Sequence, residues 1–283
     1  MLDASNIFTL LKSAEELLKS NNIPEPKTDA EVLLCDVFNV NRGKLLTLRA
    51  FIPSEKQINQ YSKYIAERIT RKPVAYISGK TEFMGMDFIV NEHVLIPRPE
   101  TEILVEEIYN QIKINEYKKF LDLCTGSGCI AISLAKYGDV SITASDISAE
   151  AVEIAKKNSK INNVAGKINF ILSDMFSNIS EQKFDIIISN PPYIAEKEFQ
   201  ELEKELLFEP RQALVAKEEG LYFYRQIANN AKNYLDQNGL IIVELNANIA
   251  DAITRVFTDS GYEKIKIIKD YSGLERVLVL KNG

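Results

Sequence analysis

The sequence predicts an α/β chain, a seven-stranded and mostly parallel sheet with helices on both faces, preceded by a small helical domain. From Tyr117 onward, short apolar runs rich in β-branched residues alternate with segments of helical periodicity, the pattern of βαβ units. Before Pro73 the apolar spacing is helical throughout. A chain of 283 residues, 46% hydrophobic and 26% charged, can bury a full core and suits one large domain or two smaller ones. The expected division is residues 1–73 for the helical domain, 74–98 for a β-hairpin linker and 99–283 for the sheet domain.

In chain order, Ile7, Leu10, Leu11, Ala14, Leu17 and Leu18 mark a first helix, broken at Asn22–Lys27 by two prolines. A second carries Ala30, Val32, Leu33, Leu34, Val37 and Phe38, with Thr28 or Asp29 as its N-cap. Ser54 caps a third, striped by Ile58, Tyr61, Ile65 and Ile69 and ended by Pro73. Alternating runs at Glu82–Met84 and Asp87–Val90, split by Gly85, read as a hairpin. Pro97-Arg98-Pro99-Glu100-Thr101-Glu102 opens a helix through Ile112 with an acidic first turn. Strands follow at 120–123, 141–145, 168–172, 185–189, 240–245, 264–268 and 277–280, with helices at 130–137, 149–161, 220–235 and 249–258. The last two strands, close in sequence, form a hairpin at one sheet edge.

Several function classes fall away. Cys35, Cys124 and Cys129 form no CxxC pair and have no companion histidines, against a disulfide framework or a zinc site, so no metal is expected. The single His93 has no G-x-S-x-G elbow to serve and reads as structural or surface. No apolar run reaches membrane-spanning length, and the amino terminus lacks a basic secretory start, so the expected location is cytoplasmic. A net charge of −6 disfavours a protein that mainly holds nucleic acid. Between Arg42 and Lys72, however, eight basic residues face only Glu55 and Glu67; a solvated helix face explains this most simply, and a docking surface is the sharper alternative.

The chemistry concentrates at strand ends. Phe184–Ser189 is an apolar strand stopped by Asn190-Pro191-Pro192-Tyr193, because neither proline can donate to a ladder. Asn190 is thus delivered to the carboxyl edge, where open α/β sheets bind ligands. A plain Pro-rich turn is the alternative. Cys124-Thr125-Gly126-Ser127-Gly128 makes the first strand-to-helix turn, its glycines allowing close backbone approach. With no G-K-[ST] and an incomplete G-x-G-x-x-G, it is no phosphate loop. Asp146 ends the next strand, placed to accept from both hydroxyls of a ribose, although a helix-capping role is also open with Ser148 beside it. Asp174 and Met175 end the third, where an acid can take an adenine amino proton and an apolar neighbour can cover the ring, although Met175 could equally be core. Together these make an adenosine site without a phosphate grip.

In this order the motifs resemble those of S-adenosylmethionine-dependent methyltransferases acting on planar nitrogen, and most fully the PrmC/HemK family of peptide chain release factor glutamine methyltransferases. The resemblance also runs through Tyr76–Gly79, Glu82-Phe83, Val94–Glu102, Glu209-Pro210 with Ala213-Leu214, and Asp270, Gly273 and Arg276. It implies a Rossmann-like class I methyltransferase domain, S-adenosyl-L-methionine as methyl donor with S-adenosyl-L-homocysteine as product, and a bacterial release factor as partner. It further implies cofactor contacts from Cys124, Thr125, Gly126, Ser127, Gly128, Asp146, Asp174, Met175 and Asn190, and catalysis by Asn190, Pro191, Pro192 and Tyr193 on the glutamine of a Gly-Gly-Gln loop, with the helical domain as docking platform. Two positions depart from the family pattern. Asn246 and Ile249 stand where Gly and Gln usually follow Glu244, and Met175 stands where an aromatic is frequent. An adenine-N6 nucleic-acid methyltransferase would share Asn190–Tyr193 but needs a cationic binding surface. A non-catalytic adenosine-binding adaptor would have no use for that motif.

Overall fold

The structure, a computed structural model, describes residues 2–282. The chain divides into two compact units: residues up to Lys80 together with Glu203–Phe208, and Thr81–Leu202 together with the residues from Glu209 on.

The first unit is helical: α1 (Ile7–Ser20), α2 (Pro26–Phe38), α3 (Arg42–Thr47), α4 (Glu55–Ile69) and α5 (Val74–Ser78). Asn6 opens α1 with a capping box, accepting from Thr9 N–H at 3.0 Å while Thr9 Oγ1 accepts from Asn6 N–H at 3.1 Å. Ile7, Leu10, Ala14 and Leu18 then meet Leu33, Leu34, Tyr61 and Ile65 in one core. Ser54 caps α4 as expected. The start of α2 differs from expectation: Pro26, with its φ already near helical, occupies the first turn, so neither Thr28 nor Asp29 is the cap. The helices α3 and α5 had no separate sequence signal, each being barely more than one turn.

The basic stretch is only partly a solvated face. Arg68 is buried; its Nε donates to Asp29 Oδ2 at 2.7 Å and its Nη2 to Glu205 Oε1 at 2.8 Å. Arg71 donates to Glu205 Oε2 at 2.8 Å, Lys72 pairs with Glu67, and Arg42 with Glu31. Lys44, Arg49, Lys56 and Lys63 remain exposed.

The second unit begins with a hairpin, β1 (Lys80–Phe83) and β2 (Met86–Ile89), turning at Met84 and Gly85, both left-handed. It continues α6 (Pro99–Asn115), β3 (Lys119–Leu123), α7 (Cys129–Tyr137), β4 (Ser141–Asp146), α8 (Ala149–Ile161), β5 (Ile168–Leu172), β6 (Phe184–Ser189), β7 (Ile194–Ala195), α9 (Arg211–Leu214), β8 (Val215–Ala216), α10 (Tyr222–Asn230), β9 (Leu235–Glu244), α11 (Ala250–Asp259), β10 (Tyr262–Lys269) and β11 (Glu275–Asn282). The main sheet runs β5-β4-β3-β6-β9-β11-β10, with β11 alone antiparallel to its neighbours. Strand alternation splits the core between two faces. Phe120, Ile186, Ile188 and Ile242 pack with Leu104 and Ile108 of α6 and Ile130 of α7. Leu121, Ile187, Ile241 and Val243 pack with Tyr224 and Ile227 of α10 and Phe257 of α11.

One helix ends earlier than its sequence suggests. The segment expected to stay helical to Leu235 leaves α10 at Asn230, passes through a single 3₁₀ turn, and Leu235 already opens β9, paired with Phe184. Among the described residues no helix is long and apolar enough to cross a membrane.

Because Arg68 answers two carboxylates inside the helical unit, its removal leaves Asp29 uncompensated and Glu205 with Arg71 alone. Arg68→Ala is expected to lower stability by about 3–5 kcal/mol in denaturant unfolding. A loss below about 1 kcal/mol, the level of a surface pair, would show that the cluster is not a structural element.

Candidate active site

Parallel register brings the chemistry to one edge. Leu123, the last residue of β3, pairs with Ser145 on one side and Ser189 on the other; Asp146 pairs with Leu172, and Ser189 with Val243. The residues that follow these positions therefore share the carboxyl edge, and β3 and β6 flank the point where strand order reverses. A cavity of about 310 Å³ opens there, lined by Cys124, Gly126, Asp146, Asp174, Met175, Asn190 and Pro192.

The turn after β3 is built around Asp146. Its Oδ2 accepts from Gly126 N–H at 2.8 Å and its Oδ1 from Ser148 N–H at 3.0 Å, while Ser148, not Asp146, caps α8. Burial raises the Asp146 carboxyl against the lowering effect of the N–H groups of Ser148, Gly126 and Ile147. Gly126 sits at φ 54°, and a Cβ built on it would meet no atom within 4 Å, so the backbone borders open space. Cys124 and Met175 also adopt left-handed φ, 60° and 46°, which re-aims both strand ends toward the cavity. Their sulfurs lie 3.8 Å apart. Burial pushes the Cys124 thiol well up, so it serves as packing rather than as a nucleophile. Asp174 is exposed at the cavity.

Three residues of the turn do not line the cavity. Thr125 is buried, its hydroxyl donating to Asp122 Oδ2 at 2.6 Å. Ser127 is buried with its hydroxyl unpartnered among the described residues, and its carbonyl accepts from Asn158 Nδ2 at 2.9 Å. Gly128 is the N-cap of α7, where a Cβ would press on Ala155 and Ile132 at 3.0 Å. Asn158 also clasps β2, accepting from Ile89 N–H at 2.7 Å and donating to Ile89 O at 3.0 Å, so one side chain ties the hairpin to the glycine turn.

On the other side of the cavity, Asn190 Nδ2 donates to Thr101 Oγ1 at 3.2 Å, and the Thr101 hydroxyl donates to Glu244 Oε2 at 2.6 Å. Tyr193 points its hydroxyl toward Glu244 Oε1 at 3.5 Å, and Pro191 is buried; neither lines the cavity. Gly220 packs directly under the Tyr193 carbonyl, where any side chain would collide. Glu209, itself buried, accepts from Ile96 N–H at 3.0 Å and is paired with Arg98, joining the Pro97–Glu102 block to Glu209-Pro210. Thr101, Glu244 and Glu209 carried no individual signal as site residues in the sequence. His93, read there as structural or surface, is exposed and lines the cavity.

Family models match both parts of the chain, the PrmC N-terminal domain at residues 9–79 and the methyltransferase small domain at 99–223. The release factor glutamine methyltransferase of Clostridium acetobutylicum is 39% identical over 96% of this chain and 97% of its own; that of Leptospira interrogans is 41% identical over 99% of each. This chain belongs to the release factor glutamine methyltransferase family. A member-like stretch also occurs inside a longer protein, the bifunctional methyltransferase of Rickettsia conorii, 38% identical over 97% of this chain but only 57% of that protein. The family fold extends to distant structures: the hMettl16 catalytic domain matches with a TM-score of 0.58 at 14% identity, covering 81% of this chain and 83% of its own. A Pyrococcus furiosus methyltransferase matches at 0.53 and 20% identity, covering 78% and 99%.

Beneath the glycine turn lies a titratable group with a stability signature. Asp122 is fully buried, its Oδ1 has no partner among the described residues, and burial pushes its carboxyl from 3.8 up to about 7. The unfolded chain loses this proton near its ordinary value whereas the fold retains it to about 7. The contribution is therefore full at low pH and lost as pH rises through that window. Asp122→Asn is expected to flatten the fall in Tm between about pH 5 and 7. An unchanged slope would assign the titration elsewhere.

Proposed function

We propose that this protein transfers a methyl group from S-adenosyl-L-methionine to the side-chain amide nitrogen of the glutamine in the Gly-Gly-Gln loop of bacterial peptide chain release factors, in the cytoplasm. The observation that carries the reading is that Gly126, Asp146 and Asn190 line one and the same cavity. When bound, the donor supplies a methyl on a positively charged sulfur, with S-adenosyl-L-homocysteine as the product.

The open backbone at Gly126 and the carboxylate of Asp146, which keeps lone-pair capacity beyond its bonds to backbone N–H groups, suit an adenosine ribose. Asp174 is free to take the adenine amino group, and Met175 to cover the ring as the aromatic residue of relatives would. Cys124 adds apolar surface, while Thr125, Ser127 and Gly128 support the turn from below rather than touching the ligand.

An amide nitrogen is a weak nucleophile because its lone pair is shared with the carbonyl. Asn190 Oδ1 and the Pro191 carbonyl would each accept one N–H of the substrate amide, which aims the nitrogen lone pair toward the donor part of the cavity and stabilises the positive charge that grows on nitrogen. Pro191 and Pro192 hold that turn stiff. Tyr193, behind the turn, supports it through Glu244.

The helical unit supplies the docking surface. It carries a groove of about 690 Å³ with Phe8, Leu11, Leu46 and Arg49 in its lining. Arg68 and Arg71 are committed to Glu205 and so are poor candidates for a partner's charges.

Asn190→Ala is expected to lower kcat by about 10²-fold with donor affinity nearly unchanged, while Asp146→Ala raises the donor Kd measured by calorimetry. The assay pairs labelled donor with release factor, with its Gln-substituted variant and with DNA; label on DNA, or on the Gln-substituted factor, would defeat the reading. Reversing Lys44 and Arg49 to Glu should raise KM for whole release factor but not for a short Gly-Gly-Gln peptide, and equal effects on both would rule out remote docking.

A further inference from the structure

We propose that Thr101 and Glu244 are positioning residues that decide which end of the Asn190 side-chain amide faces the acceptor. The inference deepens the reading above and rests on it. It begins from the fact that a hydroxyl has one proton to give. Thr101 and Glu244 are both buried, and Thr101 Oγ1 lies 2.6 Å from Glu244 Oε2 and 3.2 Å from Asn190 Nδ2. An ionised carboxylate only accepts, so the Thr101 proton goes to Glu244. Only lone pairs then remain toward Asn190, which must answer with its NH₂ group. The Oδ1 atom accepts from no other group among the described residues, and Asn190 lines the cavity. The Asn190 oxygen is thereby left for the substrate's N–H groups.

With Glu244 protonated on Oε2 the constraint reverses. The carboxylic acid donates to Thr101, the Thr101 proton turns to Asn190, and the amide presents NH₂ to a substrate that is itself an NH₂ donor. Two donors facing each other cannot bind. The relay thus converts the charge of a residue outside the cavity into acceptor polarity within it.

The fold keeps the three groups in line. Pairing of Ser189 with Val243 sets Asn190 and Glu244 side by side on neighbouring strand ends, and the first turn of α6 delivers Thr101 between them. Charged and titratable groups reach Glu244 from several elements. Glu100 comes from α6, Cys129 from α7, Tyr193 from the segment after β6, Tyr224 from α10 and Arg276 from β11. Arg276 is engaged with Asp270 at 2.8 Å, and Arg98, which lies near Tyr193, with Glu209. Burial pushes the Glu244 carboxyl from 4.5 up to about 7, opposed by the Thr101 hydrogen bond and Arg276 and assisted by Glu100.

The test uses the full-length enzyme with saturating S-adenosyl-L-methionine and a Gly-Gly-Gln peptide. Thr101→Val should lower kcat by about tenfold or more while leaving donor Kd within about twofold, and Thr101→Ser, which keeps the hydroxyl, should restore activity. Wild-type kcat should rise with pH through an ionisation near 7, and Glu244→Gln should be flat over the same range. In ¹⁵N-labelled wild-type protein, the Asn190 side-chain amide signal, assigned by its loss in Asn190→Ala, should shift through the same midpoint, a readout independent of how the variants fold. A Thr101→Val enzyme with wild-type kcat, no rescue by Ser, or an Asn190 signal insensitive to pH would overturn the relay. If Asn190→Ala itself stays active, the acceptor assignment fails first; if it is inactive while Thr101→Val is not, only the relay fails.

Discussion

Hydrogen bonding between β3 and its two neighbours is the constraint on which the site depends. Leu123 is in register with Ser145 and with Ser189, so a one-residue slip on either side would turn Asp146 or Asn190 to the opposite face. The apolar alternation that fills both faces of the sheet holds this register. Phe120 and Ile186 cannot exchange faces with Leu121 and Ile187 without misfitting side chains in both core layers. The geometry of the cavity is thus a product of core packing rather than of the loops that line it.

That rigidity supports features that are unfavourable on their own. Two non-glycine residues, Cys124 and Met175, hold left-handed backbone at the ends of β3 and β5, each at a cost of about 1 kcal/mol or more. Asp122 and Glu244 are buried carboxyls. They flank the active edge from beneath, one under the glycine turn through Thr125 and the other behind Asn190 through Thr101. In both cases a threonine hydroxyl donates to the buried acid, and that of Thr101 also accepts from Asn190, which lines the cavity. A hydroxyl suits this place because it can accept and donate at once.

Much of this was legible from sequence. The bounds of α8 and β5, the Ser54 cap, the terminal hairpin and the delivery of Asn190 to a strand end all follow from periodicity and from proline and serine chemistry, which are local. The misses are long-range. Arg68 sits in a run of cations that looks solvated, and nothing nearby announces that its second carboxylate partner is Glu205, 137 residues away. Thr101 reads as an unremarkable first-turn residue until β6 and β9 bring Asn190 and Glu244 to it. Leu235 reads as the end of the helix expected over 220–235, yet pairing with Phe184 draws it into β9. Glu209 and Arg98 were visible as motifs, but their ion pair spans 111 residues and has no local signature.

The assignment of Glu203–Phe208 to the helical unit changes what counts as a separable piece. The polypeptide passes between the two units three times, once after Lys80 and again on either side of this short segment. A fragment cut at the first crossing would lack Glu205, leaving Arg71 without its carboxylate and Arg68 with Asp29 alone. The complementary fragment would carry an acidic excursion with no cations to receive it. The helical unit is therefore completed by chain synthesised long after its five helices, and it reaches its full set of buried ion pairs only when translation of the sheet unit is well advanced.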